Sequence, residues 1–263
     1  VKPFLLLAIR AEDAAADNEY ASFQTLAGLT EDGLRRIRLE QGPLGDIDLR
    51  DWSGILLGGG PFNYTDPDDS KSPVQRRVEA DLQRVLDQVV DADFPFLGAC
   101  YGIGALGRHQ GAVLGRRYGE PVGTVEVSIT PEGQRDPLLA GLPARFDAFT
   151  GHKEAVSELP GHAVLLGTSA TCPVQMFRVG ANVYATQFHA ELDVAGLYTR
   201  TDVYKHAGYF APEEADEIKA AASRSNVTWP PVILRQFVQR YADRGPGTEP
   251  GSGRPPVQAA SSR

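Results

Sequence analysis

Three side chains in this sequence have the types and spacing that nucleophilic acyl transfer needs: a thiol at Cys100, an imidazole at His189 and a carboxylate at Glu191. Cys100 stands inside FPFLGACYGIGALG, where a short apolar run behind a proline gives way to small residues that open a helix. Such a strand-to-helix turn holds a side chain exposed, and the N–H groups of the helix's first turn favour thiolate over thiol. Gly98, Ala99 and Gly102 keep bulk out of a turn with little room for Cβ atoms. Taken alone, Cys100 reads equally as a buried cysteine acting as a small hydrophobe.

His189 and Glu191 sit two residues apart in QFHAE at the end of a strand. If both extend into one crevice, the carboxylate holds the imidazole while the imidazole faces the thiol. Backbone N–H groups of Tyr101 and of Gly60, in the glycine triplet before Pro61, are candidate donors to an oxyanion. His152, in FTGHKEAV, reads either as a lining residue or as a structural histidine, and His109, His162 and His206 read as surface or structural. No His, Cys and carboxylate cluster has metal-ligand spacing, and GGGP lacks the Lys-Ser/Thr of a phosphate loop, so neither metal nor cofactor is expected.

The elements that must position these groups follow from periodicity. Residues 4–9 form a continuous apolar run, as expected of a parallel strand covered on both faces. A helix over 18–29 and a strand over 34–39 follow, then an apolar strand at 55–57 that runs into Gly58–Gly60. Ser72 or Pro73 opens an amphipathic helix to about Val90, which returns the chain to the strand ending at Cys100. This is a βαβ unit, and in such sheets ligands bind beyond the C-terminal strand ends, where Gly58–Gly60 and Cys100 meet. Short strands are predicted at 122–129, 163–167, 174–179 and 182–187, and helices from Pro212 to Arg224 and from Val232 to Tyr241.

Composition bounds the function. With 42% hydrophobic and 23% charged residues the chain reads as a soluble globular protein. A net charge of -8, from 26 basic and 34 acidic residues, argues against a nucleic-acid surface. Two cysteines make no disulfide framework and fit a reducing cytoplasm. The apolar stretch at 4–9 is too short for a membrane span and reads as a first strand, not a signal peptide.

The order GGGP, GACYG, GHKE and QFHAE resembles the class I glutamine amidotransferase family, specifically the glutaminase domain of GMP synthases. Those domains carry a Gly-Gly-Pro oxyanion loop, a G-x-C-Y-G elbow, a Ser-His-Gly-Asp segment and a final Q-F-H-P-E. The resemblance covers roughly residues 4–192. It implies an α/β fold with an open, mostly parallel flavodoxin-like sheet, helices on both faces and a small β-rich addition. It also implies Cys100 as nucleophile, His189 as base, Glu191 as its orienter, and Gly60 with Tyr101 as oxyanion donors. Gly59, Gly104, Gly151 and His152 fall at the positions expected to meet substrate. The reaction implied is glutamine plus water to glutamate plus ammonia through a γ-glutamyl thioester.

Departures from the pattern bear on the substrate. Gly104 stands where the family's C-x-G-x-Q has a glutamine amide that helps bind substrate, Gly151 and Glu154 stand for Ser and Asp, and Ala190 for proline. The acyl-transfer groups are all present while the selectivity groups differ, so a γ-glutamyl amide other than glutamine is an equal expectation. Residues 193–244 read as a helical extension packed on the 1–192 domain, and 245–263 as a disordered tail. That extension is too short for an ATP pyrophosphatase domain, so either a separate synthetase subunit receives the ammonia or the protein is a stand-alone hydrolase. A catalytically silent binding or regulatory subunit, and a redox-sensing elbow cysteine, are the competing readings.

Overall fold

In β1 (Phe4–Ala8) every side chain is buried, with Phe4 and Leu6 entering one hydrophobic cluster and Leu5 and Leu7 the other. Successive strand residues face opposite ways, so a run that is apolar throughout needs cover on both sides. The structure, a computed structural model, describes residues 2–242; the tail expected from 245 onward lies outside the described residues.

The chain continues through α1 (Asp13–Ala27), β2 (Leu34–Arg38), β3 (Gly54–Leu57), α2 (Pro73–Asp91), β4 (Phe96–Ala99), α3 (Tyr101–Gln110), β5 (Val113–Gly115) and β6 (Glu120–Ile129). It then passes α4 (Pro131–Arg135), β7 (Arg145–His152), β8 (Ala155–Glu158), β9 (Val164–Thr168), β10 (Met176–Val179) and β11 (Val183–Thr186), and ends in α5 (Val194–Val203), α6 (Ala215–Arg224) and α7 (Pro230–Tyr241). Nine strands share one sheet in the order β2-β1-β3-β4-β11-β10-β9-β6-β7. The five from β2 to β11 are parallel and the remainder antiparallel, so most of the expected β-rich addition extends the central sheet; only β5 and β8 form a separate pair. Among the described residues no helix is long and apolar enough to cross a membrane.

Local chemistry sets the elements. Ser72 caps α2 by accepting from the Gln75 N–H at 3.1 Å, with Pro73 in the first turn, and Val78, Leu82, Val85, Leu86 and Val89 form its buried stripe. Helix α1 begins earlier than the apolar pattern predicts, because Ala14–Ala16 are strong helix formers, and it stops at Gly28 in the left-handed region (φ +71°). The sequence prediction contained none of β5, β7, β8 and α4, and gave no bounds for α5, which lies in the expected helical extension and which Asp193 caps by accepting from the Gly196 N–H at 2.8 Å. Helix α7 packs on α1, and α5 lies between α1 and α6.

Candidate active site

Cys100 occupies the step from β4 to α3 with φ +53° and ψ −92°, in the left-handed half of backbone space that non-glycine residues avoid. A residue held there costs about 1–3 kcal/mol and persists only where its surroundings over-determine it. Those surroundings are a hydrogen bond from the Cys100 N–H to the Thr186 carbonyl (2.8 Å) and one from the Ile103 N–H to the Cys100 carbonyl (3.1 Å). A Cβ at Gly98 would lie 2.9 Å from the Gly102 Cα, so strand and helix touch backbone to backbone. Gly98→Ala is therefore expected to lower stability by roughly 1–3 kcal/mol, read as an earlier urea midpoint with an unchanged slope.

Just past β11 the chain is tied to β7 by the His189 N–H, which donates to the Phe149 carbonyl at 3.0 Å. The His189 imidazole then lines the same crevice as Cys100. Its Nδ1 lies 2.7 Å from Glu191 Oε1, and the carboxylate is fully buried. Arg200 donates from Nη2 to the same Oε1 at 3.0 Å. Its Nη1 also lies 3.0 Å from Nδ1, but two donors cannot bond each other, so with Nδ1–H given to Glu191 the working contact of Arg200 is the carboxylate.

Burial alone would push His189 toward neutrality; the Glu191 carboxylate and the Cys100 thiolate outweigh it and raise the imidazole to about 9. Burial opposes charge on Glu191 as well, yet His189 and Arg200 hold its carboxyl far below the usual carboxylate range. Because the folded imidazole binds its proton more tightly than the unfolded one (about 6.5), its stabilisation is complete below about pH 6.5. It is lost as pH rises through about 9. A urea midpoint that falls between pH 6.5 and 9.5 in the parent protein, and is level in His189→Asn, is the expected result.

A second buried carboxylate organises the layer behind this pair. Glu19 Oε1 accepts from Arg10 Nε at 2.9 Å and from the Gly59 N–H at 3.2 Å, and lies 3.6 Å from Arg200 Nη2. One α1 side chain thus ties the glycine loop to both arginines. Sequence reasoning missed Arg10, Glu19, Arg200 and Tyr204; Arg10 was within reach, since it follows β1 at the ligand-binding sheet edge.

The structure puts the other sequence-predicted residues around this centre unequally. Gly60 and Gly151 line the crevices on both sides of Cys100, and Tyr101 lines one. Gly59 is wedged against the centre, since a Cβ there would lie 2.9 Å from His189 Cε1 and 3.5 Å from Cys100 Cβ. Gly104 faces inward from α3: a Cβ would lie 3.0 Å from Glu154 Oε1. Glu154 in turn accepts from the Tyr64 N–H (3.0 Å) and the Thr65 N–H (2.6 Å), so the departures at 104 and 154 are one packing arrangement that fixes the loop after the glycine triplet.

The His152 imidazole belongs to a polar core. Its Nδ1 meets the Glu154 carbonyl and its Nε2 meets Glu120, each at 2.8 Å. Glu120, His152 and Cys172 come within ligand distance of one another. Both ring nitrogens are taken, Glu120 is hydrogen-bonded by Gln175 and Thr171, and burial pushes the Cys172 thiol up to about 12, which is the bonding of a closed polar cluster. This group is distinct from Cys100, His189 and Glu191.

Comparison with known proteins gives the family. The profile of the family Glutamine amidotransferase class-I matches residues 37–195. Over 166 residues the chain is 30% identical to one of the subunits of the glutamine-hydrolyzing GMP synthase of Thermococcus kodakarensis, a stretch covering 62% of this chain and 78% of that protein. The corresponding GMP synthase subunit of Thermoplasma acidophilum is 29% identical over 152 residues, 56% of this chain and 69% of that one. A glutamine amidotransferase structure from Thermotoga maritima superposes with a TM-score of 0.72 over 92% of this chain and 100% of that one; at 20% identity this is a likeness of fold. With its mostly parallel sheet, the elbow at Cys100 and this match, the chain belongs to the class I glutamine amidotransferase family.

Proposed function

We propose that the protein hydrolyses the side-chain amide of glutamine, or of a γ-glutamyl amide, through a thioester on Cys100. The reading rests on one observation above the others: a strained elbow cysteine and a carboxylate-held imidazole share one crevice. The Cys100 thiolate adds to the γ-carbonyl carbon, and the oxyanion meets the N–H groups of Gly60 and Tyr101. The C–N bond breaks as the His189 imidazolium gives its proton to the departing nitrogen, and the amine or ammonia leaves. Water, deprotonated by the now neutral His189, forms the new C–O bond; the C–S bond breaks and the thiolate and imidazolium return. Glu191 holds the imidazole in the tautomer with Nδ1–H and stabilises its cationic form.

Glu19 and Arg200 act as positioning residues, since they fix Glu191 and the Gly59 loop. Relatives named as one subunit of a GMP synthase support an ammonia acceptor that sits on a separate synthetase chain. The direct test is ammonia release from glutamine by the purified chain, with the product glutamate measured in equal amount. Release of neither product from glutamine or from any γ-glutamyl amide, by protein that is folded, would instead favour a silent binding subunit.

A further inference from the structure

Two crevices flank Cys100 and differ in chemistry. The smaller, of about 310 Å³, runs past Tyr101 to Asn63, Lys153, Glu154 and Gln187, whose Oε1 is buried without a partner. Groups of both charges suit the two charged ends of an amino acid. The larger crevice, of about 510 Å³, is walled by Val122, Leu192, Leu197 and Phe210; its charged groups near Cys100 are Arg10, Arg200 and the His189 imidazolium, and among the described residues no carboxylate lines it.

Arg10 is only 5% exposed. Its Nε is held by Glu19 and its Nη1 donates to the Tyr204 hydroxyl at 3.2 Å, while Nη2 makes no hydrogen bond among the described residues. That free nitrogen is beside the reaction centre: a Cβ at Gly59 would lie 2.7 Å from it and 2.9 Å from His189 Cε1. Arg10 precedes the family match at 37–195, and Leu197, Arg200, Tyr204 and Phe210 follow it, so about half of this compartment's lining comes from segments outside the matched stretch, while Val122 and Leu192 lie within it. Departing ammonia would need neither the apolar walls nor a guanidinium.

We propose that the larger crevice receives the amine half of a substituted γ-glutamyl amide, an amine with an apolar or aromatic body and a carboxylate that pairs with Arg10. The substrate class is then a γ-glutamyl derivative of an apolar amino acid, and Arg10 is a specificity-determining residue. This rests on the amidohydrolase reading of Cys100 and keeps its chemistry: the same C–N bond breaks, and the leaving amino acid takes the imidazolium proton in place of ammonia. With Nε and Nη1 engaged, the spare N–H donors of Arg10 are on Nη2, and a charge-assisted hydrogen bond from there to a carboxylate is shorter and stronger than one to a neutral acceptor.

The test compares kcat/KM of the full chain for glutamine, γ-glutamyl-phenylalanine and γ-glutamyl-benzylamide, which lacks the carboxylate. The dipeptide is expected to exceed both others by tenfold or more. Arg10→Lys, which keeps a cation beside Glu19, is expected to bring the dipeptide-to-benzylamide ratio close to one, whereas a general structural defect lowers both equally. Should that variant not fold, the ratio in the parent protein carries the test by itself. Glutamine turnover at Cys100 with dipeptide turnover no faster overturns this inference and leaves the amidohydrolase reading; no turnover of any of the three, with Cys100 unmodified, overturns both.

Discussion

Cys100→Ala is expected to lower ammonia release from glutamine by about 10³–10⁶-fold, the range found when a nucleophile that works as part of a unit is removed. In the proposed mechanism the sulfur forms the covalent bond, and neither the oxyanion donors nor the imidazole takes over that part. Alanine takes the φ +53° conformation no more easily than cysteine, so the strain at the elbow is unchanged and the variant should unfold at nearly the parent's urea concentration. Cys172→Ala is the control. Its thiol lies in the polar core with Glu120 and His152, lines neither crevice and is held protonated by burial, so ammonia release should survive its loss. Equal activity in parent protein and Cys100→Ala would remove the nucleophile from the account.

Glu191→Gln carries the second large effect, a loss in kcat of about 10²–10⁴-fold. An amide in place of the carboxylate can turn its NH₂ toward His189 and select the wrong tautomer. It also leaves Arg200 and the imidazolium without their shared counter-ion. The pH profile separates this from a folding defect. In the parent the alkaline limb of kcat/KM is expected at about 9, where His189 loses its proton. Without Glu191, burial and Arg200 lower that value and Cys100 alone opposes them, so the limb should move to lower pH. A limb that stays in place would mean that Glu191 does not hold the imidazole.

The same residues explain what could be read from the sequence. Cys100, His189 and Glu191 were legible because each needs a local device that leaves a mark: small residues around an elbow, and a two-residue offset at a strand end. The parallel strands were legible because continuous apolar runs have one good solution. Arg10, Glu19 and Arg200 were not, since their role depends on three-dimensional compensation among residues far apart in the chain. A lone arginine after a strand or a glutamate in an alanine-rich helix has no periodic signature. Strand β7 was missed because FDAFTGH alternates imperfectly, and its pairing with β6 supplies the order that its own sequence lacks. His152 combines both readings given to it from the sequence: it lines the smaller crevice beside Cys100 while its ring nitrogens bond into the polar core.

The most direct measurement is acid-quench mass spectrometry on protein mixed with excess glutamine, with the modified peptide identified. A γ-glutamyl adduct on the Cys100 peptide, absent from the Cys172 peptide and lost on exposure to hydroxylamine as a thioester is, is the expected result. An adduct on another residue, or steady ammonia release with the Cys100 thiol free to react at every time point, would contradict it.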